Sequence, residues 1–430
     1  MALMTNLVRI PTLIRFWAPL QATWLMMAVE GPFFAAVIAR LADPKLNLAA
    51  HGVAYALAIL VEAPVIMMMS AATALVDSRE NYCRLRNFMW LMNLGITLGM
   101  LVLLFSPLWD LLIHRLMGLD ERVARLSWTS LVILLPWPAA IGYRRFYQGV
   151  LIRAGLTRRV AWGTAIRLVS MTATTLWCWQ KTELPGAWVG ATALSVAVLV
   201  EALASRIMAR GAVNDLRSLE ADEGTPLGYR AIWDFYLPLA MTSTISLSVQ
   251  PLITFFMGMS RSSLESLAVL PVVNSLVFIF RTPGLSLQET AITMLGRSWQ
   301  NFPVVRRFAT MLGGFATLGL VMIGFTPLAD IWLRGISGLT PELVEFALTP
   351  IRIMCLMPAL SVLLSMQRSL CVVTRKTQPI TWASAIEISV IAAALFGAIY
   401  FGNWVGATAA ATALMMGRFA SNIYLIGRSG

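Results

Sequence analysis

Apolar stretches of about 20 residues or more follow one another along the chain with short polar interruptions, and each is long enough to cross about 30 Å of hydrocarbon as a helix. They lie near residues 15–39, 48–76, 87–108, 126–152, 160–180, 187–209, 231–258, 264–295, 306–328, 343–374, 379–401 and 404–427. The pattern predicts an all-α polytopic membrane protein of twelve transmembrane helices. Hydrophobic residues make up 58% of the 430 and charged residues 13%, about half the roughly 25% charged share of a soluble domain. No segment is polar for long enough to form a soluble domain of its own. The longest polar connection, residues 210–230, includes Glu220, Asp222 and Glu223. Residues 1–14 form an amphipathic lead-in without the order of a cleaved signal, so the first span is expected to stay as an anchor.

The net charge of +12 changes the picture only through its distribution. Basic residues gather in alternate loops: Arg79, Arg84 and Arg86; Arg153, Arg158 and Arg159; Arg210, Arg217 and Arg230; Arg297, Arg306 and Arg307; Arg375 and Lys376. Arg115, Arg122 and Arg125 are the main exception. By the positive-inside rule the richer loops, and both termini, are cytoplasmic. The charge is topological, and no nucleic-acid partner is expected. No asparagine opens an N-x-[ST] sequon, and arginine outnumbers lysine 30 to 3; both fit a bacterial inner membrane.

Little conventional site chemistry is present. Cys83, Cys178, Cys355 and Cys371 are scattered without CxxC spacing, and the two histidines, His51 and His114, belong to no ligand motif, so neither a disulfide framework nor a metal is expected. No phosphate loop of the GxxxxGK[ST] type occurs. An intramembrane glycosyl or phosphoryl transferase would need acidic metal-binding clusters. Asp77, Glu80, Asp215 and Glu220–Glu223 are too dispersed for that, and the chain is not expected to be an enzyme or to hold a cofactor.

The chain repeats itself. A shift of 219 lays Phe16-Trp-Ala-Pro-Leu20 on Phe235-Tyr-Leu-Pro-Leu239, Pro32 on Pro251, and Glu62-Ala-Pro64 on Arg281-Thr-Pro283. At 220, Ser106-Pro-Leu-Trp-Asp110 falls on Thr326-Pro-Leu-Ala-Asp330 and Gly118-Leu119 on Gly338-Leu339; near the end Val189-Gly-Ala-Thr-Ala193 returns as Val405-Gly-Ala-Thr-Ala409. Six spans per copy give both copies the same orientation in the membrane, the parallel arrangement of several transporters. The domains expected are the lead-in 1–14, an N-lobe 15–209, a cytoplasmic linker 210–230 and a C-lobe 231–430, with substrate between the lobes.

Polar residues inside the spans are the candidate site, because an ionised side chain at mid-membrane costs at least about 2.5–3.5 kcal/mol. Glu62 and Arg281 lie at repeat-equivalent, mid-span positions beside Pro64 and Pro283. They are expected to form an ion pair, either a structural lock between the lobes or a latch that substrate or a proton opens. Glu30 precedes Gly31-Pro32 and is either a cavity-facing coupling group or a snorkelling carboxylate. Arg144 and Arg145 line a cavity or snorkel, and Arg352 and Arg368 pose the same choice. Gln250, beside Pro251, and Asn274 complete the substrate-facing set. Pro32, Pro64, Pro251 and Pro283 are expected helix breaks. Arg167 and Glu387 are expected in packing pairs, and Met67-Met-Met69 in flexible packing.

With these residues in view, the chain resembles the flippase and exporter superfamily of multidrug and toxic-compound extruders (MATE), polysaccharide flippases and the lipid II flippase (MOP). Within it the chain is similar to the progressive ankylosis protein family, through Ile14-Arg-Phe-Trp-Ala-Pro-Leu20, Glu30, Leu48-Ala-Ala-His-Gly-Val-Ala-Tyr-Ala-Leu57, Asp77-Ser-Arg79 and Pro350-Ile-Arg-Ile353. The resemblance implies a two-lobed, V-shaped bundle of two parallel six-helix repeats that alternates between inward-open and outward-open states. It further implies export of a small polyvalent anion such as pyrophosphate, citrate or nucleotide, and the chain is expected to act as a monomer. Arg281, Arg352, Arg144 and Arg145 would bind that anion through guanidinium forks, with Glu30 and Glu62 coupling transport to H+ or Na+. A flippase of lipid-linked oligosaccharides and a multidrug cation antiporter are the alternatives within the superfamily.

Overall fold

A computed structural model describes residues 9–218, 227–297, 299–374 and 378–428. The acidic patch Glu220–Glu223, the basic pair Arg375 and Lys376 and the first part of the lead-in lie outside the described residues. The described chain is helical and forms no strand, one isolated bridge joining Arg261 and Val405. The principal helices are α1 (Ile10–Ile38), α2 (Pro44–Glu62), α3 (Met68–Leu75), α4 (Arg79–Phe105), α5 (Glu121–Ile133), α6 (Trp137–Arg153), α7 (Thr157–Lys181), α8 (Gly186–Met208), α9 (Arg210–Ser218), α10 (Tyr229–Leu247), α11 (Val249–Gly258), α12 (Ser263–Arg297), α13 (Phe302–Phe325), α14 (Pro341–Ile353), α15 (Met357–Val373), α16 (Gln378–Phe396) and α17 (Gly406–Ile426).

Among the described residues, ten helical stretches are long and apolar enough to cross a membrane, where twelve were expected. The other two, α7 and α17, have the length but not the apolarity. The first carries Arg158, Arg159, Arg167 and Lys181, and the second is rich in small residues and holds Arg418 and Asn422. Local signals explain the helix starts. The Ser78 side chain accepts the Asn81 amide at the head of α4, and Pro44 and Pro341 occupy first-turn positions where a missing N–H costs nothing. Both repeats carry a π-wound turn, Leu111–Leu116 and Ile331–Ile336, closed by a glycine in the left-handed region, Gly118 and Gly338.

The helices form two compact units, one of Met1–Arg40 with Phe256–Gly430 and one of Leu41–Phe255. Packing therefore does not follow the repeat boundary. Helix α1 belongs with the second copy, where Leu13 is buried among Leu287, Ala291 and Met294 of α12 and Phe308 of α13. Gly31 lets α1 approach α12 so closely that a Cβ there would meet the Ser275 side chain at 2.8 Å. Its repeat-equivalent α10 belongs with the first copy, burying Ile232, Tyr236 and Ala240 against Tyr82, Phe88 and Met89 of α4.

The four prolines expected to break helices divide by unit. Pro64 sits in a 3-10 turn, Ala63–Val65, that separates α2 from α3, and Pro251 follows the interruption at Ser248 between α10 and α11. Pro32 and Pro283 instead lie inside the continuous helices α1 and α12. The break at Pro64 is held by α10, whose Tyr236 hydroxyl donates to the Pro64 carbonyl at 2.6 Å and whose Ser243 hydroxyl donates to the Ala63 carbonyl at 2.7 Å. At Pro283 the carbonyl left without its helical donor, that of Ile279, accepts from the Thr282 hydroxyl at 2.7 Å, and the buried Gln21 amide of α1 donates to that hydroxyl at 2.8 Å and accepts from Ser286 at 2.8 Å.

Candidate functional site

In the unit of Leu41–Phe255 five charged side chains from four helices act on one another. Glu201 of α8, fully buried, accepts from Arg144 of α6, from the Gln148 amide at 3.1 Å, and pairs with Arg167 of α7 at 3.4 Å. Glu62 ends α2 at the 3-10 turn, is 7% exposed, and lies in the field of Arg144, Arg145 and Arg167. One of its oxygens is buried without a hydrogen-bond partner. Arg145 donates to the Met69 sulfur at 3.7 Å. Three guanidiniums thus face two carboxylates, close to internal neutrality, which is what a low-dielectric interior demands.

The unit built on α1 and α12–α17 holds the counterpart. Gly284 brings α12 against α15, leaving 2.9 Å between a Cβ there and the Val362 amide, and one turn earlier Arg281 donates through Nε to the Ser361 hydroxyl at 3.2 Å. Arg368 of α15 donates to the Ser384 hydroxyl of α16 at 3.2 Å and keeps a buried Nε without a partner. Glu387 of α16 pairs with Arg418 of α17 at 2.9 Å. The charges of Arg368, Glu387 and Arg418 all act on Arg281. Here three guanidiniums face one carboxylate.

At three positions the two constellations carry opposite charges: Glu62 against Arg281, Arg167 against Glu387 and, one residue out of register, Glu201 against Arg418. At a shift of 220, Trp162-Gly-Thr-Ala-Ile-Arg167 aligns with Trp382-Ala-Ser-Ala-Ile-Glu387, and Gln148 with Arg368; at 219, Glu62 aligns with Arg281. Glu201 falls on Gly417, one residue short of Arg418. The pairs Arg167–Glu201 and Glu387–Arg418 therefore join equivalent helices with opposite polarity.

Several sequence expectations are corrected by this geometry. Within its own unit Glu62 lies in the field of Arg144, Arg145 and Arg167, and Arg281 in that of Arg418, Glu387 and Arg368. Arg352 does not join the arginines around Glu387. It is exposed at the end of α14, donates to the Gly324 carbonyl at 2.9 Å and covers the Phe325 ring at 5.5 Å, so it satisfies the C-terminus of α13. Arg144 is spent on Glu201. Glu30 is half-buried on α1, Gln250 half-buried in the first turn of α11 and Asn274 half-buried on α12. Arg167 and Glu387 do lie in packing pairs, with Glu201 and Arg418, two residues the sequence reading passed over.

Three of the loop arginines are likewise structural. Arg153 donates to the Thr73 and Ala74 carbonyls at the end of α3 and Arg159 to Met208 at the end of α8, as cations do favourably at helix C-termini, and Arg84 donates to the Leu227 carbonyl ahead of α10.

No protein-family model and no curated protein matches the chain by sequence. Solved structures do match by shape. The chain aligns over 96% of its length with 97% of a multidrug resistance MATE family transporter of the MOP superfamily in an inward-facing conformation, with a TM-score of 0.74 and 11% identity. It aligns over 95% of its length with 87% of the lipid II flippase MurJ in an inward closed conformation, with a TM-score of 0.70 and 12% identity. It also aligns over 97% of its length with 95% of a MOP superfamily transporter from Pyrococcus furiosus whose binding pocket is of reversed polarity, with a TM-score of 0.64 and 11% identity. The chain is a multi-pass membrane protein with the fold shared by MATE transporters and the MurJ flippase.

Proposed function

We propose that the chain is an alternating-access secondary transporter that exports small organic or phosphate-bearing anions. The observation that carries this reading is the excess of arginine, buried or half-buried, in the two constellations: six guanidiniums (Arg144, Arg145, Arg167, Arg281, Arg368 and Arg418) against three carboxylates (Glu62, Glu201 and Glu387). Charged groups kept inside a helical bundle at a cost of several kcal/mol mark substrate pathways, and a net positive set favours an anion over the cations of a multidrug antiporter. The shared fold supports transport, and the ankylosis-like motifs support citrate, pyrophosphate or nucleotide as cargo. Glu30 and Glu62 are the proposed coupling groups for H+ or Na+, in a monomer of the bacterial inner membrane with both termini cytoplasmic.

The test is uptake into proteoliposomes of radiolabelled citrate, pyrophosphate and ATP beside a cationic dye, with and without a pH or sodium gradient. Gradient-dependent movement of an anion is expected; movement of the dye alone overturns the reading. The likeness to MurJ favours one second reading, a flippase for a lipid-linked oligosaccharide, whose diphosphate would answer to the same arginines.

A further inference from the structure

Within the proposed anion-transport reading, the two constellations differ in what neutralises them. In the Leu41–Phe255 unit two carboxylates act on three arginines: Glu201 pairs with Arg144 and Arg167, and Glu62 lies in the field of all three. In the other unit Glu387 is committed to Arg418 at 2.9 Å, while Arg281 and Arg368 have serine hydroxyls at hydrogen-bond distance. A hydroxyl cannot balance a guanidinium, which stays charged under all ordinary conditions. Two like charges, each hydrogen-bonded to a neutral hydroxyl, make a costly arrangement unless a ligand completes it. Ser361 and Ser384 add hydroxyls that can turn to donate to an incoming oxygen.

We propose that Arg281 and Arg368, with Ser361 and Ser384, form a docking site inside the unit of α1 and α12–α17 for an oxyanion bearing two negative charges, and that the Glu387 carboxylate is its internal competitor. The ligand class is a phosphate or polycarboxylate group. Two charges balance the three guanidiniums less the one carboxylate. The equivalent position in the other copy is closed by the chain itself, since Glu62 stands where Arg281 would be and Gln148 where Arg368 would be.

The experiment titrates pyrophosphate into the full chain in phosphatidylcholine nanodiscs, following tryptophan emission, and in parallel compares nanodiscs containing phosphatidic acid to distinguish a free phosphate from a lipid headgroup. Charge-assisted hydrogen bonds of about 1.5–3 kcal/mol translate into binding about 10- to 100-fold weaker in Arg281→Gln and Arg368→Gln. Glu387→Gln removes the competing carboxylate and is expected to bind more tightly. The same pattern with phosphatidic acid in place of pyrophosphate upholds the site and assigns the headgroup as ligand. Wild-type binding that folded Arg281→Gln and Arg368→Gln retain in full overturns the site and leaves anion transport standing. Binding that Glu387→Gln leaves unchanged or weakens overturns it as well, a readout that survives if an arginine variant fails to fold. A wild-type chain that binds neither probe overturns both the site and the anion reading.

Discussion

Glu387 holds Arg418 at 2.9 Å across α16 and α17, and the equivalent helices of the other copy, α7 and α8, are joined by the inverted pair Arg167–Glu201 at 3.4 Å. Inversion has a consequence for assembly. If a helix of one copy sought the partner proper to the other, Arg167 would meet Arg418 and Glu201 would meet Glu387, like against like. The duplicated chain thus carries an electrostatic specification of which helices belong together. Reversing one pair, with Glu387→Arg and Arg418→Glu combined, is expected to retain more stability than either single change. A double-mutant cycle on thermal unfolding in detergent should give a coupling of about 1 kcal/mol or more, and an additive result would reduce the pair to incidental contact.

Glu201 and Arg281 should answer to substitution in opposite ways. Glu201 is fully buried and serves Arg144, Arg167 and Gln148, so Glu201→Gln leaves buried guanidiniums uncompensated, a loss of about 3–5 kcal/mol. Arg281→Gln removes a charge that has no carboxylate of its own and should leave the unfolding temperature equal or higher. Sites kept for function at the expense of stability behave in this way. An unfolding temperature that falls as far in Arg281→Gln as in Glu201→Gln would assign both residues to structure.

The kink between α2 and α3 depends on α10. The 3-10 turn Ala63–Val65 interrupts the α-helical ladder at Pro64, and Tyr236 and Ser243 donate to the Pro64 and Ala63 carbonyls there. Tyr236→Phe and Ser243→Ala should each cost about 1–3 kcal/mol, the penalty for a buried acceptor left unsatisfied. In a Pro64→Ala background, where the helix can close its own ladder, both losses should shrink. Equal losses in the two backgrounds would show that the hydroxyls act through something other than the break.

Much of this fold was legible before any coordinates. A succession of membrane-long apolar helices, the repeat and the polar mid-span residues all follow from the spacing of apolar and charged letters, because a bilayer imposes length and apolarity on whatever crosses it. The site was only half legible. Glu62 and Arg281 announced themselves beside prolines at matching positions, yet which neighbours they face depends on helix rotation, to which a repeat alignment is blind. Glu201 and Arg418 lay hidden because the copies slip by a few residues near their ends, placing Glu201 on Gly417. The inverted match of Trp162–Arg167 with Trp382–Glu387 was the signal that would have exposed them. Arg352 misled for a complementary reason: a charged residue near a helix end is as often finishing a neighbour's carbonyls as lining a cavity.

Arg352 therefore supplies the sharpest control on the arginine set. It lies on the same predicted span as Arg368, and both are single guanidiniums within an apolar run, so composition alone gives them equal standing. Their partners separate them: Arg352 donates to the Gly324 carbonyl and covers Phe325, whereas Arg368 donates to Ser384 beside the Glu387–Arg418 pair. Arg352→Gln should lower stability by about 0.5–1.5 kcal/mol, the net worth of an ordinary hydrogen bond, and leave anion uptake into proteoliposomes within about twofold of wild type. Arg368→Gln should reduce uptake by tenfold or more, as loss of about 1.4 kcal/mol or more in binding requires. If Arg352→Gln abolishes uptake while folding normally, the anion path runs past the end of α13 and the twin arginines are not its principal station.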